Sequence, residues 1–476
     1  MAQPADVLFI VSDQHNARCV SGAGHPDAKT PNLDRLASQG VRFDEAYCQS
    51  PVCTPSRMSF LSSLYPSTTG YYGLYGPEPQ QSMTSMFRWF RLHGYRTGAV
   101  GKLHTPRYWI ESDCDYVWDE FRDYPTYLEA LGLYEQNDSR NFVPGRAMYY
   151  TKGSEIPAEH TPEVVTAKHA ARFINNEGEP KDRGALRQPW FLWATFSRPH
   201  EPCVPSPPYA DWFAPESLTL PPTGEGNTSA KPLNRDHHGS RLSEADLRAW
   251  LAAYYGVLAQ VDDGVGRILS HLEAVGDLEN TIVVYTSDHG DYAGEQGRME
   301  KNGGISHRAI TRVPLIVRSG TTPSARGSVS NGIVELVDVF PTVCELSGTP
   351  TPHTVQGKSF ASLLTSPEEE FRDSALTENP HRKAIATKDY RFVANLANED
   401  EKDELYFRSS DPWEHRNSAY DSEHGDRTRE ATRLLLQRVV EARRPITSMN
   451  GHWHGHVYDE DGRLDVSQSG ERTAYW

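Results

Sequence analysis

A chain of 476 residues can bury a large core, and its length fits one big domain with a smaller companion. Its formal net charge of −16 argues against nucleic acid as a partner, and an anionic substrate would gain nothing from the overall field. Any anion site must therefore concentrate cations locally. The six cysteines (Cys19, Cys48, Cys53, Cys114, Cys203, Cys344) form no C-x-x-C pair, which reads as reduced thiols of an intracellular enzyme. Met1 leads into Val7 to Val11 without a basic segment or a long apolar run, so no signal peptide or membrane span is expected. The chain reads as cytoplasmic.

In chain order, short apolar runs alternate with helical patterns. Val7 to Val11 is the first predicted strand, followed at once by Asp13 and Gln14. A helix opens at Thr30-Pro31, runs through Leu33, Leu36 and Ala37, and stops at Gly40, with Thr30 as its N-cap. A second helix is predicted from Ser56 to about Leu64, and a third from about Met83 to His93, ending at Gly94. Arg96 to Val100 is a strand, with Lys102 and His104 just beyond it. Trp190 to Phe196 is the next, and Arg198-Pro199-His200-Glu201-Pro202 follows it. A long amphipathic helix spans roughly Ser243 to Val275, with Ser243 as N-cap. It feeds the strand Thr281 to Thr286, which ends in Ser287-Asp288-His289-Gly290. A strand at Val313 to Val317 and a helix around Val334 to Leu346 complete the pattern.

Such alternation predicts an α/β fold, a large mostly parallel sheet sandwiched by helices, over residues 1–365. Residues 366–476 read as a small α+β domain with an irregular tail from Asn450. Its expected strands are Lys383 to Thr387, Tyr390 to Asn395 and Glu404 to Arg408, with a helix near Thr428 to Arg443. Segments 135–160, 200–242 and 319–330 carry little predicted structure. The middle one, with His237 and His238, is long enough to be an active-site insertion. In open α/β sheets ligands bind beyond the carboxyl ends of the strands. Asp13, His104, His200 and Asp288 each fall just after a predicted strand, so four remote segments converge on one edge.

Cys53-Thr54-Pro55-Ser56-Arg57 has the form C-x-P-S-R, which ordinary composition would produce about 10⁻³ times in a chain of this length. It resembles the modification motif of the type I sulfatases, members of the alkaline phosphatase superfamily. That resemblance implies that Cys53 is oxidised to formylglycine by a formylglycine-generating enzyme, and that the hydrated aldehyde is the nucleophile. Asp13, Gln14, Asp288 and His289 offer oxygen and nitrogen ligands. The resemblance assigns them, with an oxygen at position 53, to one divalent ion. Calcium is the expected ion, and manganese and magnesium are the alternatives. Gln14 and His289 stand where many members carry Asp and Asn, a variant similar to choline sulfatases and phosphonate monoester hydrolases. Gly101-Lys102-Leu103-His104 resembles the family's G-K-x-H, and Pro199-His200-Glu201-Pro202 its P-H-x-P. Lys301 follows His289 at the distance where the family places its substrate lysine, with Arg298 and Arg308 as near competitors. Thr30 to Asp34, Arg312 to Leu315, Glu335 to Asp338, and Glu404-Leu405-Tyr406 followed by Asp411-Pro412 are also family-like, so the resemblance covers most of the chain.

What it implies is hydrolysis of a small anionic sulfate monoester (aryl, sugar or alkyl). Arg57 would hold the diol, and Lys102, Lys301 and the ion would neutralise the ester. One diol hydroxyl would attack sulfur with Asp288 as proton acceptor. His200, aided by Lys301, would serve the leaving alcohol, and His104 would deprotonate the second hydroxyl so that sulfate leaves. The runner-up is a phosphonate monoester or phosphodiester hydrolase built on the same site. A non-catalytic binding protein is the third reading, and the intact set of catalytic residue types argues against it. Trp453, Tyr458, Tyr475 and Trp476 make the tail a candidate contact with the main domain or with a second copy in a homo-oligomer.

Overall fold

The computed structural model describes residues 4–76, 83–138, 153–176, 188–222, 243–301, 307–396 and 402–443, with the backbone of 457–458 and 464–465. Its strands are β1 (Asp6–Asp13), β2 (Val41–Phe43), β3 (Ala46–Tyr47), β4 (Arg96–Gly101), β5 (Tyr116–Asp119), β6 (Trp190–Pro199) and β7 (Thr281–Ser287). Then come β8 (Leu315–Ser319), β9 (Ser328–Ser330), β10 (Val334–Glu335), β11 (Ala375–Glu378), β12 (Arg382–Ala386), β13 (Tyr390–Asn395) and β14 (Glu404–Phe407). Eight of them form one sheet in the order β5-β4-β6-β1-β7-β8-β2-β9. Only β8 runs antiparallel to its neighbours, β7 and β2.

The β1 sequence explains its central place. All eight residues of Asp-Val-Leu-Phe-Ile-Val-Ser-Asp are buried, as a strand covered on both faces requires. Val7, Phe9 and Val11 point into one core with Phe60, Phe87 and Phe340, under the helices Cys53–Ser62, Met86–Leu92 and Val339–Ser347. Leu8 and Ile10 point into the other, with Leu33, Phe173 and Val265 from the helices Pro31–Gln39, Pro162–Ile174 and Glu244–Ala274. The period-2 alternation of side chains thus builds both layers from one strand. β11 to β14 form a separate antiparallel sheet, on which the helix Gly425–Glu441 packs through Ala431 and Leu435 against Leu376, Ile385, Phe392 and Leu405.

Most predicted elements stand within a few residues of their expected bounds, and the departures have local causes. The helix expected around Val334 to Leu346 begins instead as β10, passes through a 3₁₀ turn at Leu336–Asp338, and becomes helical at Val339. Glu335 and Asp338 close that turn as a capping box, which apolar periodicity cannot reveal. The stretch 319–330, read as lacking structure, contains β9, paired with β2. Gly40 ends its helix in an extended conformation, and its role is close approach: a Cβ there would lie 2.3 Å from the Val317 carbonyl oxygen. Thr30 precedes that helix without a side-chain capping bond, whereas the Ser243 side chain accepts from the Asp246 N–H as expected. His237 and His238, and nearly all of the tail from Asn450, lie outside the described residues; within the tail, Val457–Tyr458 pairs with Leu464–Asp465. No helix among the described residues is long and apolar enough to cross a membrane.

Candidate active site

Four neighbouring parallel strands, β4, β6, β1 and β7, end side by side, and each delivers polar residues to the same edge. β1 ends in Asp13 and turns through Gln14, whose φ of 69° swings its side chain over the edge. β7 is followed by Asp288 and His289, both fully buried. The β1–β6 register slips after Ser12, pairing Asp13 with Pro199, and the His200 N–H donates to the Asp13 carbonyl at 3.1 Å. β4 ends at Gly101 with φ of +102°, where a Cβ would sit 1.7 Å from the Thr195 carbonyl oxygen. Only glycine permits this turn, which delivers Lys102. Gly101→Ala should lose about 2–4 kcal/mol of stability through strain and overlap, read as a lower urea midpoint.

Cys53 opens the buried helix Cys53–Ser62, so it sits at the positive end of the helix dipole. One turn further, Arg57 donates from Nε to Asp288 Oδ2 (2.9 Å) and from Nη2 to Asp13 Oδ2 (3.2 Å). Its Nη1 reaches the Lys102 carbonyl and Thr195 Oγ1. Arg57 therefore holds the two carboxylates rather than side chain 53. Lys102 Nζ adds a 2.6 Å contact to Asp13 Oδ2. These cations occupy the outer oxygens and leave Oδ1 of both aspartates near His289 Nε2, at 3.5 and 3.6 Å. His289 Nδ1 donates to the Gly290 carbonyl (2.9 Å), so Nε2 is the ring nitrogen that faces the group, 3.4 Å from Cys53 Sγ.

The candidate ligand atoms of Asp13, Cys53, Asp288 and His289 all lie within 4.8 Å of one another. Donors about 2.0–2.5 Å from a common divalent ion span such separations, so the group fits one. Cys53 Sγ stands where a formylglycine oxygen would be. Gln14 Oε1 lies beside this group, accepting from Lys301 Nζ at 2.9 Å, and the same ammonium is 3.5 Å from Cys53 Sγ. Lys301 is thus at the site. Its competitors face elsewhere, Arg308 toward Glu45 and Arg298 over the Tyr292 ring.

The electrostatics are dominated by burial set against clustered cations. Burial raises Asp13, but Lys102, His200, Lys301 and Arg57 outweigh it and hold the carboxyl well below its usual value. Burial and Asp13 push the Cys53 thiol up, yet Lys301, Lys102 and the His289 hydrogen bond bring it down to about 5. Asp288 is raised by burial and by Asp13. His104 is pushed down to about 3 by burial, Lys102 and Arg57, so it is neutral at physiological pH. Its ring stacks on Phe121 at 5.2 Å, and its buried Nδ1 has no hydrogen-bond partner among the described residues. His200 donates from Nδ1 to the Glu201 carbonyl (2.9 Å), which directs Nε2 away from that bond.

Three further carboxylates gather behind Gln14. Glu201 and Asp291 both accept from its Nε2, and Glu300 follows closely, pushed up to about 8 by burial, Glu201 and Asp291. Their part was not evident in the sequence, although Glu201 lies inside Pro-His-Glu-Pro and Asp291 two residues past His289.

The mostly parallel α/β sheet and the buried group at its strand ends agree with membership of the alkaline phosphatase superfamily. The Sulfatase family model matches residues 5–349, and that of the N-sulphoglucosamine sulphohydrolase C-terminal region matches 294–442. The chain belongs to the sulfatase family and is a sulfuric ester hydrolase. It is 29% identical to an ulvan-active sulfatase of Formosa agariphila, over 87% of this chain and 76% of the relative. In fold it is similar to the phosphonate monoester hydrolase of Agrobacterium radiobacter (TM-score 0.78, 21% identity, 96% of this chain and 99% of the other). It is also similar to a protein solved in complex with its substrate D-glucosamine-2-N,6-O-disulfate (TM-score 0.71, 22% identity, 94% and 100% covered).

Proposed function

We propose that this enzyme hydrolyses a sulfate monoester, with Cys53 converted to formylglycine by a formylglycine-generating enzyme and one divalent ion held by Asp13, Gln14, Asp288, His289 and position 53. The observation that carries the reading is the buried juxtaposition of Cys53 with Asp13, His289 and Lys301, all within 3.7 Å of its sulfur, at the head of the C-x-P-S-R helix. Formylglycine supplies a geminal diol as nucleophile, and the ion supplies positive charge against the ester oxygens. Calcium suits the carboxylates and the amide, and the imidazole nitrogen also admits manganese.

The remaining roles belong to side chains already in place. Lys102 and Lys301 flank position 53 and counter the negative charge of the ester, while Arg57 keeps both aspartates in register. Burial, with Lys102 and Lys301, holds the His200 imidazole below its ordinary value against the pull of Glu201, whose Oε2 lies 3.2 Å from Nδ1. The charge of the bound anionic ester offsets the two lysines, so that His200 can take up a proton and hand it from Nε2 to the leaving oxygen. His104, neutral and with an open Nδ1, accepts the proton whose loss releases sulfate. Sugar sulfates are the favoured substrate class, because the substrate in the complex of a fold neighbour is a disulfated glucosamine.

His104→Ala tests the division of labour. With an activated aryl sulfate, release should slow while attack persists, giving a burst of phenol equal to the enzyme concentration. The steady-state rate should then fall at least about 100-fold, with kcat/KM within about threefold of wild type. Equal losses in kcat and kcat/KM without a burst would move His104 to the first step.

The runner-up, phosphonate ester hydrolysis, has one observation in its favour: the Gln14 and His289 variant of the ligand set.

A further inference from the structure

The Gln14 amide is held in a way that fixes which atom faces the ligand group. Its Nε2 donates to Glu201 Oε2 at 3.0 Å and to Asp291 Oδ2 at 2.7 Å, so both N–H bonds are used. Its Oε1 accepts from Lys301 Nζ at 2.9 Å. Exchanging oxygen and nitrogen would set a carbonyl against two carboxylates and an NH₂ against an ammonium, so the orientation is settled by its partners. Asp291 is itself anchored, with Oδ1 accepting from the Ala293 N–H (2.6 Å) and the Glu300 N–H (3.0 Å). Glu201 is anchored by His200, 3.2 Å from the same Oε2.

We propose that Glu201 and Asp291 are positioning residues that clamp the Gln14 amide, turning its oxygen toward Lys301 and the Asp13–Cys53–Asp288–His289 group. The clamp requires an amide at position 14. A carboxylate there would replace the two N–H donors that Glu201 and Asp291 accept with an oxygen, losing both hydrogen bonds and adding negative charge beside two acidic groups. This explains why a neutral side chain stands in a ligand set otherwise rich in carboxylates. The inference rests on the proposed ion site for its functional consequence and on the hydrogen bonds alone for its geometry.

The test is a cycle of substitutions read in two ways. Gln14→Glu keeps the side-chain length and adds a charged ligand, so a count of ligand charge alone would strengthen ion binding. The clamp instead predicts that calcium and manganese affinity, measured by chelator competition, falls at least about tenfold. Adding Glu201→Gln and Asp291→Asn puts N–H donors opposite the new carboxylate, and affinity should return to within about threefold of wild type. Asp291→Asn keeps one oxygen for the Ala293 and Glu300 N–H groups. In chelator-stripped protein the same cycle is read as urea midpoints: Gln14→Glu should lower the midpoint and the added pair should restore it. Purely additive midpoints, or a Gln14→Glu protein that binds ions more tightly than wild type, would overturn the clamp. Wild-type protein that binds neither ion but shows the midpoint coupling would overturn the ion site and leave the clamp standing.

Discussion

Cys53→Ala should abolish sulfate ester hydrolysis, by at least about 10³-fold in kcat, with an unchanged circular dichroism spectrum. The two halves of this expectation come from different parts of the structure. Cys53 is only 2% exposed, but its sulfur lies among Asp13, His289 and Lys301 rather than in an apolar core, so losing it removes little packing. The helix it begins is held by nine other buried residues, including Met58, Phe60 and Leu61. Catalysis has no substitute, because Ser56 donates to the Asp288 carbonyl and Thr54 lacks a second hydroxyl on its reacting carbon. Wild-type protein should yield a peptide spanning Cys53 that is lighter by about 18 Da than its thiol form, as replacement of SH and hydrogen by an aldehyde oxygen demands. A fully active enzyme carrying only the thiol would refute the modification.

Asp288→Asn should cost both the ion and the activity. Asp288 is shared between Arg57 at Oδ2 and the group facing His289 at Oδ1, where it also accepts the Gln14 and His289 N–H groups. Asparagine has one oxygen for these duties. It also removes one of the two carboxylates that balance the fully buried Arg57. Divalent-ion affinity should drop about 10–100-fold, with activity falling in parallel. Asp13→Asn should behave alike, because Asp13 balances Lys102 as well as Arg57. Elemental analysis that finds undiminished stoichiometric ion in both variants would contradict the ligand assignment.

Sequence revealed the parts of the site that end long buried strands. β1, β6 and β7 are continuous apolar runs because both faces of the sheet are covered, and polar residues directly after such runs stand out. Asp13, His200 and Asp288 were legible for that reason, and the order β4-β6-β1-β7 makes their carrier strands neighbours. β2, β3, β9 and β10, of two or three residues each, exist only through pairing with remote partners, and so carry no local pattern. The helices Glu120–Leu131 and Pro162–Ile174 also escaped, the first with a proline inside it and the second buried along most of its length. Glu201 and Asp291 were hidden for another reason. A carboxylate looks the same in sequence whether it faces solvent or accepts an amide from a distant turn, and only the folded edge brings both to Gln14.

A site built for sulfur should discriminate between sulfate and phosphonate esters that differ in nothing else. Purified protein, with modification at position 53 confirmed by peptide mass, is assayed on aryl sulfate and aryl methylphosphonate esters with the same leaving phenol. Lys102 and His104, the pair tied to sulfate release, stand at the end of β4 against Asp13 and Phe121. The kcat/KM for sulfate should stand at least about tenfold above that for methylphosphonate, about 1.4 kcal/mol of transition-state stabilisation. A preference for the phosphonate would contradict it and hand the site to the phosphonate hydrolase reading.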